Sequence, residues 1–588
     1  MVGTNGKGEK LSGPYHRARP QLAIRDIAAA SVASEPALLV RRIGRSSGNL
    51  PASNERMTRS PATHSHATSA RLPQRQLVGL AAILLALLSM RLLYAGLFEL
   101  RTDEAYYWTW SKESVLSFLD HPPMIAWFIR FGTAIFGDTA FGARFPGILA
   151  LSVTQLLLVD IVRRVTHDVR AMVVTVLMTE AALYYGLLMV KIAPDVAMIP
   201  FATAMLWSLV RLAESHDGRW WLAAGCFGGL ALLSKLTVVL TVPAILVFML
   251  LPDWRLRWLK SPYPWLAVWI ALAVSSPVTI WNATHDWASF KFQFVRVTAP
   301  HDLSLSTFGE FLGLQFAQVG FVLFPVLVSA CVLTLWRGAR QRDPVSLLLS
   351  LSVLVPFAYF LWRSLTLRVG DTWPMFMWPP AIAVAAINVT RLAEDGWSAA
   401  TVRAGHRWIT TSIVVGIPFV VLAFLYSVAA PWNLLGRNDP IGTEAGYDQL
   451  AERAVQEMQA TGATWIATTN YRVYAMLRWH LKDSVPVIQV NERSRFIGFR
   501  DPGMDRVKGK PGLYIAQPDG DERALLVNAG AKLEPLAQLS TMWRGTPMRS
   551  FQIDKLTGWT PELNPAPDTP FYRPPALAEL LMYNRRMG

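Results

Sequence analysis

The sequence predicts a polytopic α-helical membrane protein with a soluble C-terminal α/β domain, and three observations predict this fold class. Of its 588 residues, 52% are hydrophobic and only 16% are charged, whereas soluble proteins carry about 25% charged residues. The mean hydropathy of the chain is +0.29. Apolar stretches recur through the middle of the chain and give way to mixed sequence after residue 430.

The first 74 residues form a leader rich in Ser, Ala, Pro and Arg with little hydrophobic periodicity. Such a segment buries too little apolar surface to offset its chain entropy, so we predict a disordered cytoplasmic leader. It lacks the continuous apolar core of a cleavable signal peptide, and Met57 is an alternative start. Both cysteines, Cys226 and Cys331, lie in apolar runs, which disfavours a disulfide scaffold and a cysteine-based zinc module.

Residues 75–430 are predicted to form the transmembrane domain, because a helix needs about 20 apolar residues to cross a bilayer. The sequence gives about eleven candidate spans. They lie at 77–98, 140–162, 171–190, 196–213, 220–235, 237–252, 262–281, 308–336, 344–362, 373–392 and 409–430. A further apolar segment, 122–137, is short, begins with Pro-Pro and contains Arg130. We interpret it as an interfacial or re-entrant helix.

Positively charged residues orient these spans, because they lie in the leader and in every second loop. The members of this set are Arg71 and Arg75; Arg163, Arg164 and Arg170; Arg211 and Arg219; Arg255, Arg257 and Lys260; Arg337, Arg340 and Arg342; and Arg391, Arg403 and Arg407. Positive loops stay in the cytoplasm, so the N-terminus is predicted inside and the loop 99–139 outside. The net charge of +15 then reflects membrane topology and disfavours nucleic acid as a partner.

Residues 431–588 mix charges with short alternating or apolar runs separated by Gly, Pro and Asp. A helical stretch, TEAGYDQLAERAVQEMQATG, precedes the runs TWIATTN, VPVIQV and GLYIAQ. This pattern predicts a small α/β domain of about 110 residues and a Pro-rich tail. With eleven spans, and with the bacterial inner membrane as the predicted location, the C-terminal domain is predicted to lie in the periplasm.

Ionisable residues concentrate in the first outer loop, FELRTDEAYYWTWSKESVLSFLDHPPMIAW. Asp103 and Glu104 follow the first span, and Asp120 and His121 end the loop. Ionisable groups at membrane depth are costly and are therefore candidate functional groups. The alternative is that the acidic pair caps a helix and that the aromatic residues form an interfacial belt. Those aromatic residues are Tyr106, Tyr107, Trp108 and Trp110.

The loop resembles the GT-C membrane glycosyltransferases, in the branch of the protein O-mannosyltransferases and the bacterial lipid A aminoarabinose transferases (glycosyltransferase families 39 and 83). The resemblance rests on the pair Asp103-Glu104 and on Asp120-His121 followed by two prolines. It extends through FGDTAFGARFPGILA, KIAPDVAMIPF, GGLALLSKLT and WNATHDWASFKFQFVR, and weakens at GDTWPMFMWPP. It covers residues 77–393.

The resemblance implies an enzyme that moves a sugar from a polyprenyl-phosphate donor, which enters from the lipid, to an acceptor on the outer face. The acceptor classes left open are lipid A or lipopolysaccharide, another lipid, a glycan and a protein. A base beside the acceptor hydroxyl aids such a transfer, and cations stabilise the departing phosphate. The implied catalytic residues are Asp103, Glu104 and Asp120. The implied phosphate ligands are Lys235, Arg296, Lys191 and His121, and the implied substrate-binding or loop-orienting residues are Asp195, Tyr106, Tyr107 and His285.

The chain departs from this family pattern at three places. His121 stands where the aminoarabinose branch has Lys, and Thr372-Trp373 replaces its usual Asn-Trp pair. Gln293 replaces a His of the aminoarabinose branch. In that branch the His can hold zinc together with the acidic residue at the position of Asp120. Because Gln is a poor zinc ligand, a divalent metal is left open, with Asp120 and His285 as its candidate ligands and no other cofactor predicted.

Two other functions remain open from the sequence, a transporter or flippase and a non-catalytic binder of lipid-linked glycans. Transporters often contain inverted repeats and broken helices at mid-membrane, whereas this chain shows no internal repeat and its polar residues cluster on one face. Convergence of Asp103, Lys235 and Arg296 on one cavity would favour the enzyme. Scatter of these groups would favour the binder.

Overall fold

The computed structural model describes residues 74–298, 302–490, 493–500, 504–518 and 523–559. The predicted leader, apart from residue 74, and the predicted Pro-rich tail lie outside these residues. In chain order the α-helices are α1 (Gln74–Ala95), α2 (Thr102–Ser111), α3 (Met124–Phe136), α4 (Ala140–Thr166), α5 (Val169–Ala181), α6 (Leu183–Gly186), α7 (Pro194–Ser215), α8 (Arg219–Ser234), α9 (Val242–Leu250), α10 (Arg255–Leu259), α11 (Pro262–Thr284), α12 (Ala288–Thr298), α13 (Leu305–Val319), α14 (Leu323–Gln341), α15 (Pro344–Arg363), α16 (Trp378–Glu394), α17 (Ala399–Ala429), α18 (Tyr447–Thr461), α19 (Tyr471–Leu481), α20 (Met504–Val507) and α21 (Arg523–Asn528).

Eight of the described helices are long and apolar enough to cross a membrane by length and composition. They are α1, α4, α7, α11, α14, α15, α16 with the 3-10 turn Met375–Met377 before it, and α17. The chain is therefore a multi-pass membrane protein. The predicted number of eleven spans is not confirmed, and the orientation of the termini stays a prediction.

Three regions predicted as continuous spans contain breaks. The stretch 171–190 is divided among α5, the short α6 and the 3-10 turn Leu188–Val190. The stretch 308–336 is divided between α13 and α14 by Gly320, whose φ of +127° an L side chain rarely adopts. The stretch 237–252 begins with the 3-10 segment Leu236–Thr241 before α9. Lys235 is the residue that follows α8, and its extended backbone makes the corner between α8 and the 3-10 segment.

The segment predicted as interfacial or re-entrant forms α3, which starts directly after Pro123 and ends before Gly137. It packs against α2 and α4. Its one cation, Arg130, donates through Nε to the carbonyl of Ser111 at 2.8 Å and also donates to the carbonyl of Glu113. These bonds tie α3 to the first outer loop, and its depth in the membrane stays a prediction.

The C-terminal part contains a five-stranded sheet of order β2-β1-β3-β5-β4. The strands are β1 (Ile466–Thr468), β2 (Val487–Gln489), β3 (Gly512–Ala516), β4 (Lys532–Trp543) and β5 (Thr546–Thr557). Strands β1, β2 and β3 are parallel, with α19 as the crossover between β1 and β2. Strands β4 and β5 form an antiparallel hairpin whose two turn residues, Arg544 and Gly545, both have positive φ, as tight hairpin turns require. The predicted small α/β domain is confirmed.

Helix α19 packs against α2 and joins the sheet to the first outer loop. Trp108 of α2 meets Trp479 of α19 edge to face, with ring centroids 5.2 Å apart. Further along the loop, Trp110 stacks on Phe118 at 4.3 Å, and Phe118 contacts Phe499 of the C-terminal part. This aromatic interface holds the C-terminal part against the loop that carries the candidate functional residues.

Candidate active site

Helix α2 is anchored by Glu104, whose side chain is fully buried against Arg144 of α4. Its carboxylate accepts from Arg144 at 2.7 and 2.9 Å and from the backbone N–H groups of Arg101 and Ile192 at 2.9 and 2.8 Å. Burial by itself raises the pKa of Glu104, but the charge and hydrogen bonds of Arg144 outweigh it and lower that pKa below its ordinary value. The sequence prediction of a catalytic Glu104 is corrected by this geometry, because the carboxylate is enclosed and positions α2.

Asp103 points in a different direction, because adjacent residues on a helix lie about 100° apart around its axis. Its side chain is 36% exposed, and Oδ1 lies 3.7 Å from Nε of Arg472. It lines the central cavity of the site, described below. Asp103 is therefore a carboxylate available to a ligand, held near a cation of the C-terminal part.

Asp120 is held by two donors on one oxygen. Tyr106 donates its hydroxyl to Oδ2 at 2.8 Å, and Nη1 of Arg495 donates to the same oxygen at 2.7 Å. Burial and the Asp120 carboxylate raise the pKa of Tyr106 well above its ordinary value, so the hydroxyl keeps its proton. The backbone carbonyl of Asp120 accepts from Nε2 of Gln293 at 2.7 Å.

Lys235 forms a buried ion pair with Asp195 at the start of α7. Its Nζ lies 2.7 and 2.8 Å from the two carboxylate oxygens, and both side chains are almost fully buried. Thr372, in the loop between α15 and the turn Met375–Met377 (here called the late outer loop after its predicted side), donates its hydroxyl to Asp195 Oδ2 at 2.7 Å. Asp195 therefore joins α7, the corner at Lys235 and the segment that carries Thr372, and its loop-orienting role stays a prediction.

Arg296 lies on α12 and packs over the ring of Trp373, with Cζ 4.4 Å from the ring centroid. Lys235 Nζ lies 5.9 Å from the same ring. Within the described ranges, Arg296 and Lys191 have no carboxylate within ion-pair distance, so their charges are available to an anionic ligand. Burial lowers the pKa of Arg296 from its ordinary value, although guanidinium groups stay protonated in proteins.

These groups meet in a central cavity of about 850 Å³. It is lined by Asp103, Tyr106, Tyr107, Asp120, His121, Lys191, Asp195, Lys235 and Arg296, together with Asp371, Thr372, Trp373, Tyr471 and Arg495. All the predicted site residues except Glu104 and His285 line it. The Thr372-Trp373 pair, where the chain departs from the family pattern, also forms part of its wall.

A second cavity, here called the adjoining cavity, has a volume of about 710 Å³. It shares five wall residues with the central cavity, which are Asp120, His121, Lys235, Arg296 and Trp373. Its remaining wall is mostly apolar and includes Leu236, Tyr359, Phe360, Leu367 and Val369. The shared cationic wall thus has a polar space on one side and a largely apolar space on the other.

His121 is a neutral member of this wall. Burial lowers the pKa of His121 well below its ordinary value of 6.5, and the charges of Lys235, Arg296 and Arg495 lower it further. The donor-phosphate role of His121 stays a prediction, and with a lowered pKa its imidazole offers the phosphate a hydrogen bond and no charge.

His285 lies outside both cavities. Its ring stacks on Trp281 with centroids 4.4 Å apart, and its Nδ1 lies 2.8 Å from the carbonyl of Trp281. The structure thus shows His285 packed on Trp281, and its substrate-binding and metal-binding roles stay predictions.

The residues at Asp120 do not fit a zinc ion. Among the described residues, no group of three or more His, Cys, Asp or Glu side chains is arranged to hold a metal. The Gln293 amide nitrogen donates to the Asp120 backbone, and the Asp120 carboxylate is engaged by Tyr106 and Arg495. Zinc requires nitrogen, sulfur or carboxylate ligands in tetrahedral array, and this donor set offers one carboxylate.

Sequence reasoning missed the contributions of the C-terminal part to the central cavity. Arg495 and Tyr471 reach the site from beyond residue 430, and Cζ of Arg495 lies 4.1 Å from the Tyr471 ring centroid. Arg363, at the end of α15, lines the adjoining cavity and was also missed. The YR pair at 471 and the RSR run at 493 carry no motif that links them to the outer loop.

Residues 120–281 match the sequence profile of the dolichyl-phosphate-mannose-protein mannosyltransferase family. The chain is 28% identical over 304 residues to the lipid A galacturonosyltransferase RgtD of Rhizobium johnstonii. The match covers 48% of this chain and 62% of that relative. It is 28% identical over 261 residues to an undecaprenyl phosphate-alpha-4-amino-4-deoxy-L-arabinose arabinosyl transferase of Pseudomonas aeruginosa. This match covers 42% of this chain and 46% of that relative. The matches thus span less than two thirds of these relatives.

The crystal structure of ArnT from Cupriavidus metallidurans bound to undecaprenyl phosphate superimposes with a TM-score of 0.55 at 16% identity. The match covers 82% of this chain and 98% of that chain. The chain has the GT-C fold. The resemblance predicted from the outer-loop motifs is confirmed, and the GT-C arrangement extends into the C-terminal part that the motifs did not reach.

Proposed function

We propose that this GT-C protein transfers a sugar from a polyprenyl-phosphate donor to an envelope glycolipid at the outer face of the bacterial inner membrane. The single observation that carries the proposal is the convergence of Asp103, Lys235 and Arg296 on one cavity. The names of the relatives support it, since they describe lipid A and undecaprenyl-phosphate sugar transferases. Enzymatic transfer from a lipid-phosphate sugar needs both a carboxylate and a cationic pocket, and the cavity contains both.

The cationic wall is the proposed donor phosphate site. Arg296 and Lys191 face the central cavity without a carboxylate partner among the described residues, and the flat Trp373 ring holds the Arg296 guanidinium in place. Arginine binds phosphate oxygens bidentately. The apolar wall of the adjoining cavity supports entry of the first isoprene units beside this phosphate.

The proposed reaction is a displacement at the anomeric carbon of the donor sugar. The acceptor hydroxyl forms the new C–O bond, the bond between the sugar and the phosphate breaks, and polyprenyl phosphate leaves with the bonding electron pair. Asp103 accepts the hydroxyl proton, and Arg296, Lys191 and Lys235 stabilise the charge that grows on the phosphate. Asp103 suits the base role because its carboxylate is partly exposed in the cavity, whereas Glu104 is enclosed.

The proposed orientation places the leader and the N-terminus in the cytoplasm and the C-terminal domain in the periplasm. It rests on the loops rich in Arg and Lys between alternate spans. A transporter or a non-catalytic binder is the weaker alternative. Neither function requires a partly exposed carboxylate beside a phosphate-binding wall.

A panel of polyprenyl-phosphate sugars tests this function. The purified protein, in lipid nanodiscs with an envelope glycolipid extract, is mixed with each donor, and free polyprenyl phosphate is measured. Wild type should release it with one donor, and Asp103→Asn and Arg296→Ala should not. The matched controls are Asp286→Asn and Arg453→Ala, since both residues form partly exposed ion pairs and neither lines a cavity described above. Release by neither wild type nor controls, from folded protein that binds polyprenyl phosphate, would favour a binder or transporter.

A further inference from the structure

A third cavity, here called the lateral cavity, lies between the outer ends of the membrane helices and the C-terminal part. Its volume is about 1350 Å³. Its apolar floor consists of Tyr94, Leu97, Phe98, Leu187, Val190 and Val428. Its polar wall includes Arg101, Lys191, Glu444, Asp448, Gln449 and His480. An apolar floor beneath a polar wall suits an amphipathic ligand.

The lateral cavity meets the central cavity at Lys191, which lines both. Among the described residues, the lateral and adjoining cavities have no wall residue in common. The central cavity therefore lies between two separate approaches. Arg101 of the lateral cavity and Asp103 of the central cavity are two residues apart in the chain.

Two cations give the lateral cavity its preference for an anionic headgroup. Arg101 and Lys191 have no carboxylate within ion-pair distance in the described part of the chain. Two of the three acids in the lining already accept hydrogen bonds, and Asp448 is exposed. Glu444 accepts from the N–H and hydroxyl of Thr102 at 3.0 and 2.6 Å. Glu99 accepts from the indole N–H of Trp479 at 3.1 Å.

We propose that the lateral cavity binds the acceptor of the transfer, an anionic glycolipid. Its acyl chains contact the apolar floor at Leu97 and Val428, and its headgroup anion binds Arg101, while Lys191 stays with the donor phosphate. The acceptor hydroxyl then enters the central cavity past Lys191, opposite the donor lipid. This assignment rests on the proposed transferase function.

The test separates headgroup from chain recognition. Arg101→Gln and Val428→Trp are assayed with the intact acceptor glycolipid and with its deacylated headgroup. Arg101→Gln should raise the KM of both acceptors by about tenfold, because a charge-assisted contact is lost. Val428→Trp should raise the KM of the intact glycolipid alone. The donor KM should stay within about twofold in both variants. The matched control is Val414→Trp, an exposed position of α17 outside the cavity.

The outcomes distinguish the two proposals. If wild type transfers sugar but both variants keep the wild-type acceptor KM, the lateral cavity is not the acceptor site and the transferase function stands. If wild type shows no donor-dependent release of polyprenyl phosphate, the transferase function itself fails. Equal loss in Val414→Trp and Val428→Trp would show general disturbance of α17 and overturn the assignment of the floor.

A second inference concerns Arg495, which belongs to the C-terminal part yet forms part of the central cavity wall. Its side chain is 5% exposed, and its Nη1 lies 2.7 Å from Asp120 Oδ2. The two residues are separated by 375 positions in the chain. The rings of Tyr471 and Tyr106 lie 4.1 and 5.8 Å from its Cζ.

The donor set around Asp120 explains what this arginine does. The family resemblance implies a histidine that shares a metal with the acidic residue, and this chain has Gln293 in that place. Gln293 donates to the Asp120 backbone, while Asp120 Oδ2 accepts from Tyr106 and Arg495. A fixed guanidinium therefore lies beside the carboxylate for which the family resemblance implies a divalent ion.

We infer that Arg495 replaces a metal ion at Asp120, so that the site needs the C-terminal part and no divalent cation there. Arg495 acts as a positioning residue, because it holds Asp120 and through it the Tyr106 hydroxyl at the cavity wall. The inference depends on the geometry of the pair and holds for any anionic ligand of the central cavity.

The test compares two arginines of the C-terminal part that both contact the first outer loop. Arg495→Met should lower kcat about 100-fold, as misplacement of site groups does, and Arg495→Lys should restore part of it. Arg500→Met is the matched control, since Arg500 pairs with Glu113 and donates to the carbonyl of Lys112 outside the cavity. Equal losses of kcat in both Met variants would show that Arg495 only holds the C-terminal part against the first outer loop. That result would overturn its positioning role.

Metal content gives a readout independent of activity. Wild type should contain less than one equivalent of zinc and keep its kcat in the presence of a chelator. The double variant Gln293→His with Arg495→Met should bind zinc in equilibrium dialysis, because it restores a histidine and frees the Asp120 carboxylate. One equivalent of zinc in wild type, lost together with kcat on chelation, would overturn the inference.

Discussion

Lys235 contacts both carboxylate oxygens of Asp195, at 2.7 and 2.8 Å, in a site from which water is largely excluded. The pair joins the corner after α8 to the start of α7, and Thr372 adds the late outer loop. A buried ion pair of this kind costs much solvation free energy, and removing one partner leaves the other charge uncompensated. The pair therefore fixes the position of a cation that the proposed mechanism uses at the donor phosphate.

Asp195→Asn should release Lys235 and the Thr372 loop together. The buried ammonium loses its counter-charge, so we expect the free energy of unfolding to fall by about 3 kcal/mol. The donor KM should rise in the fraction that remains folded. Thermal unfolding in detergent and donor kinetics check both effects, and Asp286→Asn, in an exposed pair with Lys291, is the control.

Glu104→Gln should impair stability and leave the chemistry of the folded protein intact. The substitution leaves the Arg144 guanidinium buried without its carboxylate, which costs about 3–5 kcal/mol in comparable sites. Glu310→Gln, in an exposed pair with Arg368, should cost less than about 1 kcal/mol. A stable Glu104→Gln protein with greatly reduced kcat would contradict the anchoring role and return Glu104 to the catalytic residues.

The pH dependence of stability should report the neutral state of His121. Above its ordinary pKa of 6.5 the folded and unfolded states both carry a neutral side chain there. Below that pH the unfolded state takes up a proton that the folded state does not, since the folded pKa is lowered. The free energy of unfolding therefore falls as the pH falls, by up to about 1.4 kcal/mol per pH unit.

His121→Gln should flatten this dependence. The measurement compares the Tm of wild type and variant at about pH 7.5 and about pH 5.5. His167→Gln, at the residue that follows α4, is the control. An identical loss of Tm at the lower pH in wild type and His121→Gln would contradict a buried neutral histidine.

Trp373 should matter to the donor site through Arg296. Trp373→Ala removes the ring on which the Arg296 guanidinium packs. Arg296→Lys removes the pair of N–H donors with which arginine binds a phosphate bidentately. We expect each to weaken donor binding by about 10- to 100-fold, because hydrogen bonds to charged groups contribute about 1.5–3 kcal/mol. Direct binding of polyprenyl phosphate measures the effect, and Trp336→Ala, which removes a comparable contact with Arg340 elsewhere, is the control.

Local sequence patterns predicted much of this architecture because apolar length and loop charge act over short stretches of chain. The outer-loop motifs placed Asp103 and Asp120 correctly in one cavity with Lys235 and Arg296. The break at Gly320 was missed because a glycine inside an apolar run is common in continuous spans. Its positive φ is visible only in the fold.

Other features of the site depend on long-range packing and could not be read from the sequence. Glu104 is next to Asp103 in the motif. Its carboxylate is enclosed because Arg144 of α4 pairs with it, and this contact is visible only in the structure. Arg495 reaches Asp120 from 375 residues away. No local spacing predicts such a pair, since it depends on how the C-terminal part docks on α2.

The most direct test of the central claim is a count of both products in one reaction. Wild-type protein in nanodiscs, supplied with an isotopically labelled polyprenyl-phosphate sugar and envelope glycolipid, is analysed by mass spectrometry. The account predicts equal amounts of labelled glycolipid and free polyprenyl phosphate, with both reduced about 10²- to 10⁴-fold in Asp103→Asn. Full product formation by a folded Asp103→Asn protein would contradict it.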